Sequence, residues 1–246
     1  MKSKVLIILP TYNESGHIQS SLRNLDDIRQ QFLDEFDITL LNVDDSSPDG
    51  TAALAADMKL PNFYQLINQG KIGLGPAYLA GFKWGLSRNF DYFVEMDSDG
   101  SHLAVELPIL LAKSKHHDLI IGARWMAGGT IHNWPWYRIL ISKFGTSYAS
   151  ILLKLPLRDL TSGYRIMNRN FLESLDLDAI STKGYGFQIE MAFLAYVNGF
   201  AVTEVPITFI ERSTGKSKMS LGIAVEAFRF VTKRGFERIL KIDIRR

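Results

Sequence analysis

The chain has 246 residues, 46% hydrophobic and 22% charged, which is ordinary globular usage with enough apolar material for one sizeable core. Lys and Arg number 28 against 26 Asp and Glu, and a net charge of +2 is too small to make nucleic acid the default partner. Cys is absent, which removes disulfides, thiolate metal sites and cysteine nucleophiles together and fits a reducing compartment such as the cytoplasm.

At the amino end a basic start leads into an apolar run at residues 5–9, too short for a signal-peptide core and without a small-residue cleavage site, so it is predicted as the first strand. Further β-branched or apolar runs at residues 38–43, 64–67, 92–96 and 119–121 alternate with helix-like spacing, which predicts an α/β domain with a mostly parallel central sheet. Ile18, Leu22, Leu25, Ile28 and Phe32 recur every three or four residues and predict a helix after the first strand-end loop. Beyond the fifth strand come Gly128 and Gly129, an aromatic stretch from Trp134 to Tyr137, a predicted helix over 139–153 and shorter elements. No linker or repeat divides the chain, and nothing approaches the roughly 18 consecutive apolar residues of a transmembrane helix. Any membrane contact is therefore expected to be peripheral.

Ligands in open α/β sheets bind at the carboxyl ends of strands, where three loops stand out. The first is Pro10-Thr11-Tyr12-Asn13-Glu14, in which Asn13 could cap a helix while Tyr12 could cover a nucleobase face and Glu14 accept from its edge. The second, residues 44–51, opens with Asp44 and Asp45, acids placed to meet ribose hydroxyls, and ends in a Pro-Asp-Gly turn. The third, residues 97–102, sets Asp97 and Asp99 one residue apart, costly like charges unless a cation offsets them. Oxygen donors suit Mg²⁺ or Mn²⁺: Asp99 would be the main metal ligand, Asp97 would contact ribose or a metal-bound water, and Ser101 could add an oxygen. His102 reads as a supporting or capping residue, and an Asp-Gly surface turn is the bland alternative for the loop.

PTYNE at 10–14, DDSSPDGT at 44–51, GKIGLGPAY at 70–78, MDSDGSH at 96–102, DLTSGYR at 159–165, GYGFQIEM at 184–191 and ERSTGKSKM at 211–219 stand in one order along nearly the whole chain. The set resembles family 2 glycosyltransferases, within which it is similar to the polyprenol (dolichyl) phosphate mannose synthases. The resemblance implies a GT-A (Rossmann-like) nucleotide-sugar-binding fold, a GDP-mannose donor, a polyprenyl phosphate acceptor and inversion at the anomeric carbon. It also implies a single catalytic domain, with residues 1–122 as nucleotide-binding half, 123–220 as acceptor half and 221–246 as a basic amphipathic segment. Carried over by motif, Pro10, Tyr12, Glu14 and Asp45 would hold the guanosine, with Val43 as a further nucleotide-binding residue and Asp97, Ser98 and Asp99 at the ribose, metal and diphosphate. Arg124, Arg212 and Lys218 would face phosphate groups and, with Asp99, form the catalytic set. The Ser98, Gly100 and Ser101 of this chain depart from the usual Asp-Ala-Asp-Leu pattern, which leaves Ser101 the least secure ligand.

Two phosphorylated groups meeting at one sugar carbon require cations, and Arg138, Arg165 and Lys216 join those three as candidates, against solvated surface charge for each. The basic, aromatic-rich end of the chain could lie in a lipid interface or pack as a terminal helix. The expected location is the cytoplasmic face of a membrane, reached by surface contact, a membrane-protein partner or both. The rivals are transfer from UDP-glucose or another nucleotide sugar, a polysaccharide acceptor, and a nucleotide-sugar-binding module without turnover.

Overall fold

The computed structural model describes residues 2–180, 182–211 and 221–240. Strand and helix alternate through the first half as β1 (Ser3–Thr11), α1 (Ile18–Gln31), β2 (Phe36–Asp44), α2 (Thr51–Ala56), β3 (Phe63–Ile67), α3 (Leu74–Leu86), β4 (Tyr92–Glu95), α4 (Leu107–Leu111) and β5 (Leu119–Ala123). The second half holds β6 (Thr130–His132), α5 (Trp136–Leu152), β7 (Arg165–Asn168), α6 (Arg169–Glu173), α7 (Gly184–Val197), β8 (Val202–Pro206), β9 (Thr208–Ile210) and α8 (Leu221–Ile239). All five predicted strands and the helix after the aromatic stretch are present.

Seven strands form one sheet in the order β3-β2-β1-β4-β7-β5-β8. Every neighbouring pair is parallel except those of β7, which runs antiparallel between β4 and β5. The small parallel pair β6 and β9 stands apart.

The central strand shows why its sequence is apolar without alternation. Val5, Ile7 and Leu9 pack with Ile18, Leu22 and Leu107 from α1 and α4, whereas Leu6 and Ile8 pack with Phe82 of α3 and Phe93 on the other face. A parallel strand buried on both sides has no solvent face to keep polar. Each such Leu or Ile contributes roughly 1.5–3 kcal/mol on burial. The result is three layers, helix on sheet on helix.

Gly81 and Gly85 bring α3 down onto this sheet. A Cβ at Gly81 would stand 2.7 Å from the Ile8 side chain, and one at Gly85 would stand 2.5 Å from Phe93 and 2.6 Å from Leu6. No helix among the described residues is long and apolar enough to cross a membrane.

The topology also locates the crevice. β2 lies to one side of β1 and β4 to the other, so successive strands depart in opposite directions and the loops after β1 and β4 face each other at the switch point.

Candidate active site

Ser98 joins the two facing loops. Its hydroxyl donates to the Pro10 carbonyl at 3.0 Å, and its own carbonyl accepts from Ser21 of α1 at 2.8 Å. The loop after β1 is fixed from the other side too, where the Glu14 amide donates to Thr51 Oγ1 at 2.9 Å and the Asn13 amide to Ser47 Oγ at 3.0 Å. Glu14 is buried, while Tyr12 is half-buried with the Lys71 ammonium 4.3 Å from its ring centroid. An aromatic face attended by a cation at the mouth of the crevice suits a nucleobase and its phosphates.

The acidic pair of the second loop is engaged by the chain itself. Asp44 accepts from Thr11 Oγ1 at 2.7 Å and from the Ser47 amide and hydroxyl at 2.7 and 2.6 Å, so it locks the ends of β1 and β2 together. Asp45 accepts from Asn68 Nδ2 at 2.9 Å and from the Ile72 and Gly73 amides at 3.1 and 2.9 Å. A carboxylate has about four lone-pair sites, so Asp45 keeps about one for a ligand and mainly holds the loop that starts α3. Gly73, at φ 100°, turns the chain into that helix. Val43 is fully buried in β2 among core residues, so its side chain is closed to a nucleotide and only its backbone is left for such a contact.

At the end of β4, Asp97 and Asp99 are partly exposed, and Asp99 Oδ1 accepts from the Ser101 amide at 3.0 Å across Gly100, whose φ is 80°. Ser101 itself is buried, and its carbonyl accepts from Ile210 of β9 at 3.1 Å, which leaves the two carboxylates as the accessible oxygen donors. Among the described residues no group of three or more His, Cys, Asp or Glu could hold a metal ion. Two carboxylates are nonetheless the usual protein share for a small hard cation that takes its remaining ligands from water and a diphosphate. The residues fit such an ion only together with its substrate.

His102 supports this loop. The Asp97 amide donates to His102 Nδ1 at 3.1 Å, which occupies that lone pair and leaves the ring hydrogen on Nε2. The ring stacks on Tyr164 with centroids 5.1 Å apart and meets Phe209 edge-on at 5.5 Å. Burial pushes its pKa down to about 4 against the pull of Asp99, so the 3.8 Å approach of Asp97 Oδ2 is not an ion pair near neutral pH.

Arg124, just past β5, is 6% exposed and bound to Asp159 through both ends of its fork, Nε to Oδ2 at 2.7 Å and Nη2 to Oδ1 at 2.8 Å. Nη2 also donates to Thr161 Oγ1 at 2.8 Å. Burial opposes both charges, yet the partners outweigh it: the Arg124 pKa is raised and that of Asp159 lowered. Arg124 is therefore a permanently charged group held in one orientation by Asp159 and Thr161. Arg138 stacks over Trp134, 4.2 Å from its ring centroid, and pairs with Glu211. The two arginines, with Trp134, Tyr185 and Thr161, line one part of a cavity of ≈ 220 Å³ whose remaining wall is mostly apolar, including Ile141, Phe144 and Tyr148 of α5 and Phe228 and Val231 of α8.

Arg165 requires a correction. Rather than facing phosphate it is fully buried, donating to the carbonyls of Ser162, Gln188 and Leu160 at 2.8, 2.6 and 2.8 Å. It stands opposite Glu95 in the β4–β7 register, where burial drives the Glu95 carboxyl up to about 7. Buried Glu190 of α7 accepts from Thr182 Oγ1 at 2.6 Å. Arg212, Lys216 and Lys218 lie outside the described residues. Sequence reasoning assigned no role to Asp159, Thr161 or Tyr185, although the motifs DLTSGYR and GYGFQIEM contain all three.

A Rossmann-like half, an acidic pair at the strand ends and a cation-lined cavity beside it together define a glycosyltransferase of the GT-A fold. The Glycosyl transferase family 2 model matches residues 6–176, and the chain belongs to that family. It is 46% identical over 221 residues to a polyprenol monophosphomannose synthase of Mycolicibacterium smegmatis, covering 88% of this chain and 81% of the relative. It is 47% identical over 234 residues to an undecaprenyl-phosphate mannosyltransferase of Micrococcus luteus, covering 94% of each. Among solved structures, glucosyl-3-phosphoglycerate synthase of Mycobacterium tuberculosis, in complex with Mn²⁺, UDP-glucose and phosphoglyceric acid, superposes with a TM-score of 0.70 at 16% identity over 95% of this chain and 80% of the other. That likeness concerns the fold.

Proposed function

We propose that the chain transfers mannose from GDP-mannose to a polyprenyl phosphate, giving a polyprenyl phosphate β-mannose. The observation that carries this reading is the cavity between α5 and α8, in which Arg124 and Arg138 offer charge to a phosphate while the apolar wall suits a hydrocarbon chain. The names of the two bacterial relatives point the same way.

In this reading residues 1–122 carry the donor, residues 123–220 the acceptor, and residues 221–246 the basic amphipathic segment. Tyr12 covers the guanine, Glu14 and the remaining acceptor of Asp45 meet polar edges of the nucleoside, and Pro10 and Ser98 hold the two loops in register. A divalent cation, Mg²⁺ or Mn²⁺, would be held by Asp97 and Asp99 and would offset charge on the departing diphosphate. Support for the ion comes from the Mn²⁺ in the solved structure of similar fold.

The chain's own task is to bring two anions to one carbon without letting water in. Arg124, oriented by Asp159, and Arg138, oriented by Trp134 and Glu211, steady the acceptor phosphate, and Arg212 and Lys218 add charge by their motif. The acceptor oxygen is already ionised near neutral pH, so no general base is required. It bonds to the anomeric carbon as the bond from that carbon to the GDP oxygen breaks, and the electron pair leaves with GDP. Attack opposite the leaving group turns the α-linked sugar into a β-linked one. The absence of Cys and the lipid acceptor support a place on the cytoplasmic face of a membrane, through surface contact or a membrane-protein partner.

A competition assay tests donor and acceptor together. Offered GDP-mannose, GDP-glucose and UDP-glucose with a short polyprenyl phosphate and Mg²⁺ or Mn²⁺, the protein is expected to prefer GDP-mannose by at least about 10²-fold in kcat/KM, roughly 3 kcal/mol. It is expected to ignore the corresponding alcohol. Equal use of the alcohol would return the acceptor to the polysaccharide class, and a preference for UDP-glucose would move the donor.

A further inference from the structure

Residues 155–164, between α5 and β7, form neither helix nor strand, yet Asp159, Leu160, Ser162 and Tyr164 are buried. Buried backbone without a ladder partner must find its hydrogen bonds elsewhere, and side chains supply them here. The Arg158 and Asp159 amides donate to Glu204 Oε1 of β8 at 2.8 and 2.7 Å, which fixes where the buried stretch starts.

From Asp159 to Ser162 the chain then serves two arginines in alternation. The side chains of Asp159 and Thr161 accept from Arg124. The carbonyls of Leu160 and Ser162 accept instead from Arg165, through Nη2 and Nε, each at 2.8 Å. The third arm of the Arg165 fork, Nη1, reaches the Gln188 carbonyl of α7 at 2.6 Å, and that helix carries Tyr185 and Ile189 of the cavity wall. One guanidinium thus ties the segment that orients Arg124 to a helix of the same cavity.

This fork is spent on backbone rather than on a carboxylate. Glu95 stands opposite Arg165 in the β4–β7 register, but neither of its carboxyl oxygens takes a hydrogen bond from it. Burial pulls the Arg165 pKa down to about 10, so the group stays charged near neutral pH. A fully buried cation held mainly by carbonyls is costly. A neutral amide would satisfy a carbonyl at less cost, but an amide or a Lys offers its donors from one nitrogen. Only a guanidinium spans three carbonyls from two parts of the chain in fixed geometry.

We infer that Arg165 is a positioning residue for the transfer: by fixing residues 159–162 against α7 it sets the orientation in which Arg124 meets the acceptor phosphate. The inference rests on the acceptor reading above, in which Arg124 steadies that phosphate. Arg165 itself is fully buried and closed to substrate, so it acts only through the groups it holds.

Arg165→Lys keeps the charge but replaces the fork by a single nitrogen. Arg165→Gln/Glu95→Gln removes both buried charges together and serves should the first variant fail to fold. In either, the KM for a short polyprenyl phosphate is expected to rise at least about tenfold while that for GDP-mannose stays within about twofold. A second readout needs no substrate. The Arg124 Nε–H resonance in a nitrogen-15 spectrum, assigned by its loss in Arg124→Lys, should exchange with water at least about tenfold faster in the variants than in the wild type. Unchanged Arg124 exchange in both variants would overturn the proposal. Equal rises in the two KM values, or a fall in kcat alone, would overturn it as well by reducing Arg165 to a support of the fold. Faster Arg124 exchange in the variants of a protein whose wild type transfers no mannose would uphold the positioning of Arg124 and count against the proposed function alone.

Discussion

Asp99→Asn is expected to lower transfer by about 10³-fold or more while the protein keeps its fold and melting temperature. The carboxamide keeps the side-chain volume and can still accept from the Ser101 amide, the 3.0 Å bond that shapes the turn at Gly100. What it removes is a negative oxygen from a site whose protein donors are two carboxylates. Losing about 4 kcal/mol of transition-state stabilisation corresponds to about 10³ in rate. Circular dichroism, a melting curve and initial rates across a Mn²⁺ titration check this. Unchanged turnover would return residues 97–102 to the class of surface turns.

Removing either member of the Arg124–Asp159 pair should be as damaging for a different reason. Asp159 is fully buried and Arg124 nearly so, and three hydrogen bonds join them, counting that from the Arg124 amide. Asp159→Ala would strand a buried guanidinium, and Arg124→Ala a buried carboxylate. Each is expected to destabilise the protein by about 3–5 kcal/mol, and the double variant by less than the sum of the two. The pH dependence has a defined sign. Because the folded Asp159 pKa is lowered, its contribution is present above the unfolded value of about 3.9 and is lost as pH falls through the folded value. Denaturant titrations of the four proteins measure the coupling, and simple additivity would show that the two charges do not support each other.

The strands that carry the crevice were legible because a parallel strand buried on both faces must be an apolar run, and each of β1, β2 and β4 gives way at its carboxyl end to polar or acidic residues. Asp97 and Asp99 were legible for the same reason. β7 was not, since it is four residues long and begins with Arg165, whose burial depends on carbonyls from the preceding loop and from Gln188 of α7. The structural share of Asp45 was not legible, because an acid at a strand end looks the same whether it meets a ligand or the chain's own amides. Here those amides belong to Ile72 and Gly73, more than twenty residues on. Val43 was carried over by resemblance alone, and its position inside β2 leaves nothing of its side chain for a nucleotide. The cavity lay beyond periodicity altogether, because its wall draws on α5, α7, α8 and the segments near Arg124 and Thr161.

The proposed chemistry is a single displacement at the anomeric carbon by an ionised phosphate, and the configuration of the product tests it most directly. GDP-mannose labelled with carbon-13 at the anomeric position, incubated with the protein, Mg²⁺ and a short polyprenyl phosphate, should give one lipid-linked product whose one-bond carbon–hydrogen coupling is that of a β-mannosyl phosphate. An α-linked product, or mannose trapped covalently on the protein, would contradict it.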